Sequence, residues 1–167
     1  MTTLTTNFET LRAEVAAHIA ADAVVQGTYW DGSHGCFIGC LAHSPDASVL
    51  QDRYGLPLML VRICESIFEN LPHREAVEFF AAIPAAIGRD GKDLTRVAWA
   101  FLASELRALP ATMPEIDTVI AGLDMLASGL EWDAADAAAR AARAAYAADA
   151  ARIRQRDTIL RLIEEAA

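Results

Sequence analysis

The chain has 167 residues, 54% of them hydrophobic, and a formal net charge of −9 from 23 acidic and 14 basic side chains. That length suits one domain with a sizeable core. The acidity argues against direct binding to a nucleic-acid backbone, which needs clustered Lys and Arg, and suits either solubility or a partner with a basic surface. Glycine (9) and proline (6) are sparse while alanine is abundant, the composition of an all-α protein. Thirteen of the 14 bases are arginine and only Lys92 is lysine, which reads as the coding bias of a GC-rich genome.

Asn7 is placed to cap a first helix, with Glu9 in its first turn. Phe8, Leu11, Val15, Ile19 and Val24 recur at helical spacing, predicting a helix to about Val25. Gln26 to Ser33 carries two glycines and opens a loop containing Tyr29, Trp30 and Asp31. The block from His34 to His43 follows, holding Cys36, Cys40, Gly35 and Gly39. Ser44-Pro45 reads as a cap and first helical position, and this turn should end near Gly55. Pro57 and Pro72 open two further helices, the second ending at Gly88 with Pro84 as a bend. Val97, Trp99, Phe101, Leu102 and Leu106 mark a strong amphipathic helix. Thr112 to Glu115 forms a capping-box pattern for the next, which should end near Gly129.

Glu131 to Ala167 contains neither glycine nor proline. It should be one helix of roughly 35 residues, about 50 Å long. The expected fold is therefore an all-α, irregular bundle of about six or seven helices. Residues 1–130 form its core, and 131–167 a long Ala-rich C-terminal helix packed on the core or extending from it. Six arginines lie between Arg140 and Arg161, whereas Glu105 to Asp136 is acidic. That asymmetry fits either complementarity within the chain or a homodimer seam along the C-terminal helix.

Chemistry concentrates in the Gly/Cys block. On a helix, Cys36, Cys40 and His43 would share one face, offering thiolate and imidazole to zinc or a similar ion. The fourth ligand would come from Asp31, His34 or Cys64. The competing view is packing, with Gly35 and Gly39 forming a G-x-x-x-G seam for a neighbouring helix and the cysteines buried as small hydrophobes. A thiol enzyme, with Cys36 or Cys40, His43 and Asp31 or Asp46, would require a depressed thiol pKa. Glu65, Glu69 and His73 read as a solvated acidic face, and His18 as a boundary residue. Tyr29, Trp30 and Asp31 are either an interface anchor or a lid on the core. P-loop, G-x-G-x-x-G, H-E-x-x-H and G-x-S-x-G patterns are all missing, so a non-enzymatic protein is expected.

Two blocks carry a resemblance: Trp30-Asp-Gly-Ser-His-Gly-Cys-Phe-Ile-Gly-Cys-Leu-Ala-His43 followed by Tyr54-Gly-Leu-Pro to Ile67-Phe-Glu-Asn-Leu71, and the Ala/Arg tail from Ala134 to Ala151. They resemble a group of small uncharacterised bacterial and phage proteins in which a G-C-x-x-G-C-x-x-H block precedes Y…G-I-P…E…I-F-E-G-L. Cys36, Cys40 and His43 fall on that block and His34 does not; most serines of the group's terminal repeats are missing here. The resemblance implies an origin on mobile elements and no particular activity. The expectation is a cytoplasmic interaction protein, a phage or mobile-element modulator or inhibitor of a host system acting through an acidic helical surface. The N-terminus lacks a signal-peptide pattern and no run approaches a membrane span. Three unpaired cysteines suit a reducing compartment.

Overall fold

The computed structural model describes residues 3–109, 114–132 and 152–166. Among these residues the chain is all-helical, an irregular bundle of eight helices with isolated bridges but no strand. The helices are α1 (Phe8–Ala20), α2 (Phe37–Ala42), α3 (Ser48–Tyr54), α4 (Leu58–Asn70), α5 (His73–Ile87), α6 (Val97–Arg107), α7 (Pro114–Ala127) and α8 (Arg152–Glu165). No described helix is long and apolar enough to cross a membrane.

Proline and glycine punctuate the chain as expected. Pro57 and Pro72 stand immediately before α4 and α5, and Gly55 and Gly88, both with positive φ, end α3 and α5. Pro84 lies within the last turn of α5.

Three boundaries differ from the sequence expectation. α1 stops at Ala20 because Asp22 turns left-handed (φ 54), and Val24 then leaves the helix to bridge Gly35. α3 begins at Ser48, not after Ser44, because the Asp46 carboxylate accepts the Ser48 N–H at 2.9 Å. Helix does not start at Glu131 either. Residues 130–132 are non-helical, and the Trp132 ring lies so close over Gly122 of α7 that a Cβ there would come within 2.2 Å of it. Thr112 and the alanine-rich stretch of the tail, with Arg140 and Arg143, lie outside the described residues.

The short α2 sits at the centre. Phe37, Ile38, Gly39, Cys40 and Leu41 are all buried, and the Phe37 ring meets Phe68 of α4 and Phe79 and Phe80 of α5 at centroid distances of 5.8–6.3 Å. α8 packs across α4, α5 and α6, burying Ile159 and Ile163. The apolar face of this described part of the tail is therefore spent on its own chain. Arg154 pairs with the buried Glu105 of α6, so part of the charge asymmetry is complementarity within the molecule.

Burying α2 creates a problem at its N-terminus. The first backbone N–H groups of a helix have no partner inside it, and here water cannot supply one. Its solution shapes the face described next.

Candidate functional site

The loop 27–34 and α2 form one unit. Gly35 donates to the Ala23 carbonyl, Val25 donates to the Gly35 carbonyl, and Cys36 donates to Thr28, all within 2.7–2.9 Å. At the loop tip, one Asp31 carboxylate oxygen accepts from Ser33 N, Ser33 Oγ and His34 N at 2.7–3.1 Å. The His34 and Ser33 N–H groups hold that carboxyl down, to a pKa of about 2. His34 stays at the tip, its Nδ1 2.8 Å from Ser33 Oγ. The other end of the loop is tied to α4: Gln26 donates to the Phe68 and Leu71 carbonyls, and Gly27 N donates to Glu69.

Gly35 and Gly39 do form a close-packing seam, but a loop lies in it where a helix was expected. A Cβ on Gly39 would fall 1.2 Å from the Tyr29 carbonyl oxygen, and one on Gly35 would fall 2.4 Å from the same atom. The Tyr29 backbone is thereby packed against α2 while the residue as a whole remains 46% exposed.

Cys36, Cys40 and His43 are not displayed on one helical face. α2 spans only Phe37–Ala42; Cys36 precedes it in extended conformation, and His43 follows it left-handed at φ 52. The three side chains go separate ways. The Cys36 thiol donates to Glu65 Oε1 at 2.9 Å. The Cys40 thiol donates to the Gly35 carbonyl at 3.1 Å. The His43 ring stacks on Trp30, with centroids 4.3 Å apart. Cys64, a proposed fourth ligand, is buried in the core, and Asp31 is exposed at the loop tip.

Glu65 resolves the buried start of α2. Its second oxygen accepts the Ile38 N–H at 3.0 Å, so a carboxylate from α4 serves as the missing cap. Glu65 is thus largely buried and its pKa raised by that burial, against the opposing pull of the Cys36 and Ile38 bonds. This corrects the expectation of a solvated acidic face. Ligand atoms of Cys36, Glu65 and Glu69 do converge within 4.8 Å of one another. Each of these three groups is already engaged by a hydrogen bond: thiol to Glu65, Ile38 N–H to Glu65, and Gly27 N–H to Glu69.

Burial raises the pKa of every cysteine. Cys36, with added help from the Glu65 bond, is pushed up to about 12, and Cys40 to about 11. Cys64 is raised as well. A thiol nucleophile needs the opposite shift. The thiols here are donors and space-fillers.

A second cluster lies beside the first. His18 of α1, Trp30 of the loop and His43 at the end of α2 form an aromatic group: Trp30 stacks on His43 and meets His18 edge-on at 5.7 Å. The two imidazole Nε2 atoms are 3.3 Å apart. Trp30 is half-buried, its ring covered on one side by His43 and edge-on to His18.

Sequence reasoning missed Glu65 and His18. Glu65 carried a signal: Val61 and Phe68, four residues before and three after, are buried on the same stripe of α4. His18 carried none, since its partners come from other segments. Comparison of the chain with protein-family models, with curated proteins and with solved structures returned no significant match.

Proposed function

We propose that this protein acts by binding another protein, without catalysing a reaction, through the face built from the loop 27–34. The observation that carries this is the presentation of Tyr29. Its carbonyl is packed against two glycines whose missing side chains admit it, and the residue is left exposed. An aromatic side chain offered on a rigid backbone loses little entropy on binding, which is what an interface anchor needs. Tyr29, Trp30 and Asp31 are the residues of this surface.

The net charge of −9 favours a basic partner and steers it at long range. A cytoplasmic modulator or inhibitor of a host system, carried by a phage or mobile element, accords with the resemblance of the block from Trp30 to His43. The test is affinity capture from the native cell with full-length protein and with Tyr29→Ala, whose side chain is exposed. A captured protein is expected with the first and at least ~10-fold less of it with the second, since an aromatic anchor contributes about 2 kcal/mol or more. Capture indifferent to Tyr29, or no capture at all, would sink the proposal.

A further inference from the structure

The two histidines beside the loop are arranged for more than packing. His18 lies on α1 and His43 just past the end of α2, yet their Nε2 atoms face each other at 3.3 Å. Two nitrogens bound to one tetrahedral zinc at 2.0–2.1 Å stand about 3.3–3.4 Å apart, so the separation that now holds a hydrogen bond between the rings also matches that of a chelating pair. The rings are nearly perpendicular, at 79°, and both are fixed by the same neighbour, Trp30, stacked on one and edge-on to the other.

We propose that His18 and His43 bind a late first-row divalent ion such as Zn²⁺, Ni²⁺ or Cu²⁺ through their facing Nε2 atoms, with water completing the coordination. Imidazole is the favoured protein ligand for these ions. Binding requires neutral rings, with the lone pair of each Nε2 free for the ion. The nearest carboxylate on α1, Glu14, is taken by Arg53 and Tyr54. His43 is exposed, so an ion reaches the pair without opening the core. The thiol and carboxylates of Cys36, Glu65 and Glu69 lack both advantages: Cys36 is fully covered, and its proton must be displaced first.

The experiment is calorimetric titration of the untagged full-length protein with Zn²⁺. Quenching of tryptophan emission by Cu²⁺ is followed in parallel. One equivalent of Zn²⁺ is expected to bind. Loss even of a group that only orients a metal ligand costs 10–100-fold in affinity, so His18→Ala or His43→Asn should weaken binding at least ~10-fold. Asn tolerates the left-handed backbone at position 43, so this variant keeps the fold, and an unchanged far-ultraviolet dichroism melt without metal verifies it. Trp30→Phe should retain Zn²⁺ binding while removing most of the Cu²⁺-induced quenching. Absence of binding would reduce the pair to a hydrogen bond between imidazoles. Binding unaffected by both histidine variants, or abolished by Glu65→Gln but not by His43→Asn, would place the ion elsewhere. Each of those results overturns the proposal.

Discussion

At the scale of single residues, Cys36 shows how burial decides chemistry. A thiol next to a histidine-bearing helix end looks reactive in sequence. Taken out of water and set against the Glu65 carboxylate, it keeps its proton up to about 12, against an ordinary thiol value near 9. The folded state therefore holds a proton that the unfolded chain gives up sooner. The sign follows: the contribution of this group to stability is intact below pH ~9 and is lost as pH rises from there toward 12. Serine keeps a donor at position 36 but does not titrate in this range. Wild-type protein should thus lose roughly 1–2 kcal/mol more stability than Cys36→Ser between about pH 8 and 10.5. Urea unfolding of both proteins across that interval checks this; parallel profiles would show that the thiol is not held as described.

At the scale of elements, α2 is the part of the fold that depends most on help from elsewhere. It has six residues, five of them buried. A helix this short has no stability of its own. Glu65 is expected to be its main support, because it satisfies both the Cys36 thiol and the Ile38 N–H. Glu65→Ala leaves two donors unpaired in a place water reaches poorly, which should cost about 2–4 kcal/mol. Glu69→Ala frees only the Gly27 N–H, on an exposed loop, and should cost less than ~1 kcal/mol. Denaturant midpoints of the two variants give the comparison; equal losses would mean that Glu65 does not cap α2.

The same elements show how far the sequence could be read. α4 and α5 were legible from end to end, because proline and glycine act on the backbone locally wherever they occur. The Gly/Cys block was legible as a packing seam but not in its partner, since a small residue says that something comes close without saying what. The helical face imagined for Cys36, Cys40 and His43 failed for a local reason: both outer residues lie beyond the helix ends, so helical spacing does not apply to them. The meeting of His18, Trp30 and His43 was out of reach, because it depends on where α1 stops and how the loop returns, and both are set by long-range packing.

At the scale of the whole molecule, α8 closes the bundle, and polar groups fix it at both ends. Near its start, Arg154 and Gln155 meet Glu105, whose side chain is only 1% exposed on α6. Near its end, the ammonium of Lys92 donates to the Glu164 carbonyl of α8 at 2.6 Å and to the Ala86 carbonyl of α5 at 3.2 Å. One cation thus serves the C-terminal turns of two helices, where positive charge is favoured. That gives the single lysine of this arginine-rich chain a structural reason to be lysine: a compact ammonium can divide its donors between two carbonyls, whereas a planar guanidinium needs more room. Between these ends, Ile159 and Ile163 supply the apolar contact. If the two polar ends set the register of that contact, removing one should loosen α8 before the rest of the bundle. Glu105→Ala removes the carboxylate that Arg154 and the Gln155 amide share and should cost roughly 2–4 kcal/mol, less than a fully buried pair because Arg154 is partly exposed. Amide hydrogen exchange in the segment 152–165 should then accelerate at least ~10-fold while that of α4 and α5 keeps its higher protection. Uniform acceleration across the helices would show instead that α8 and the core open as one unit.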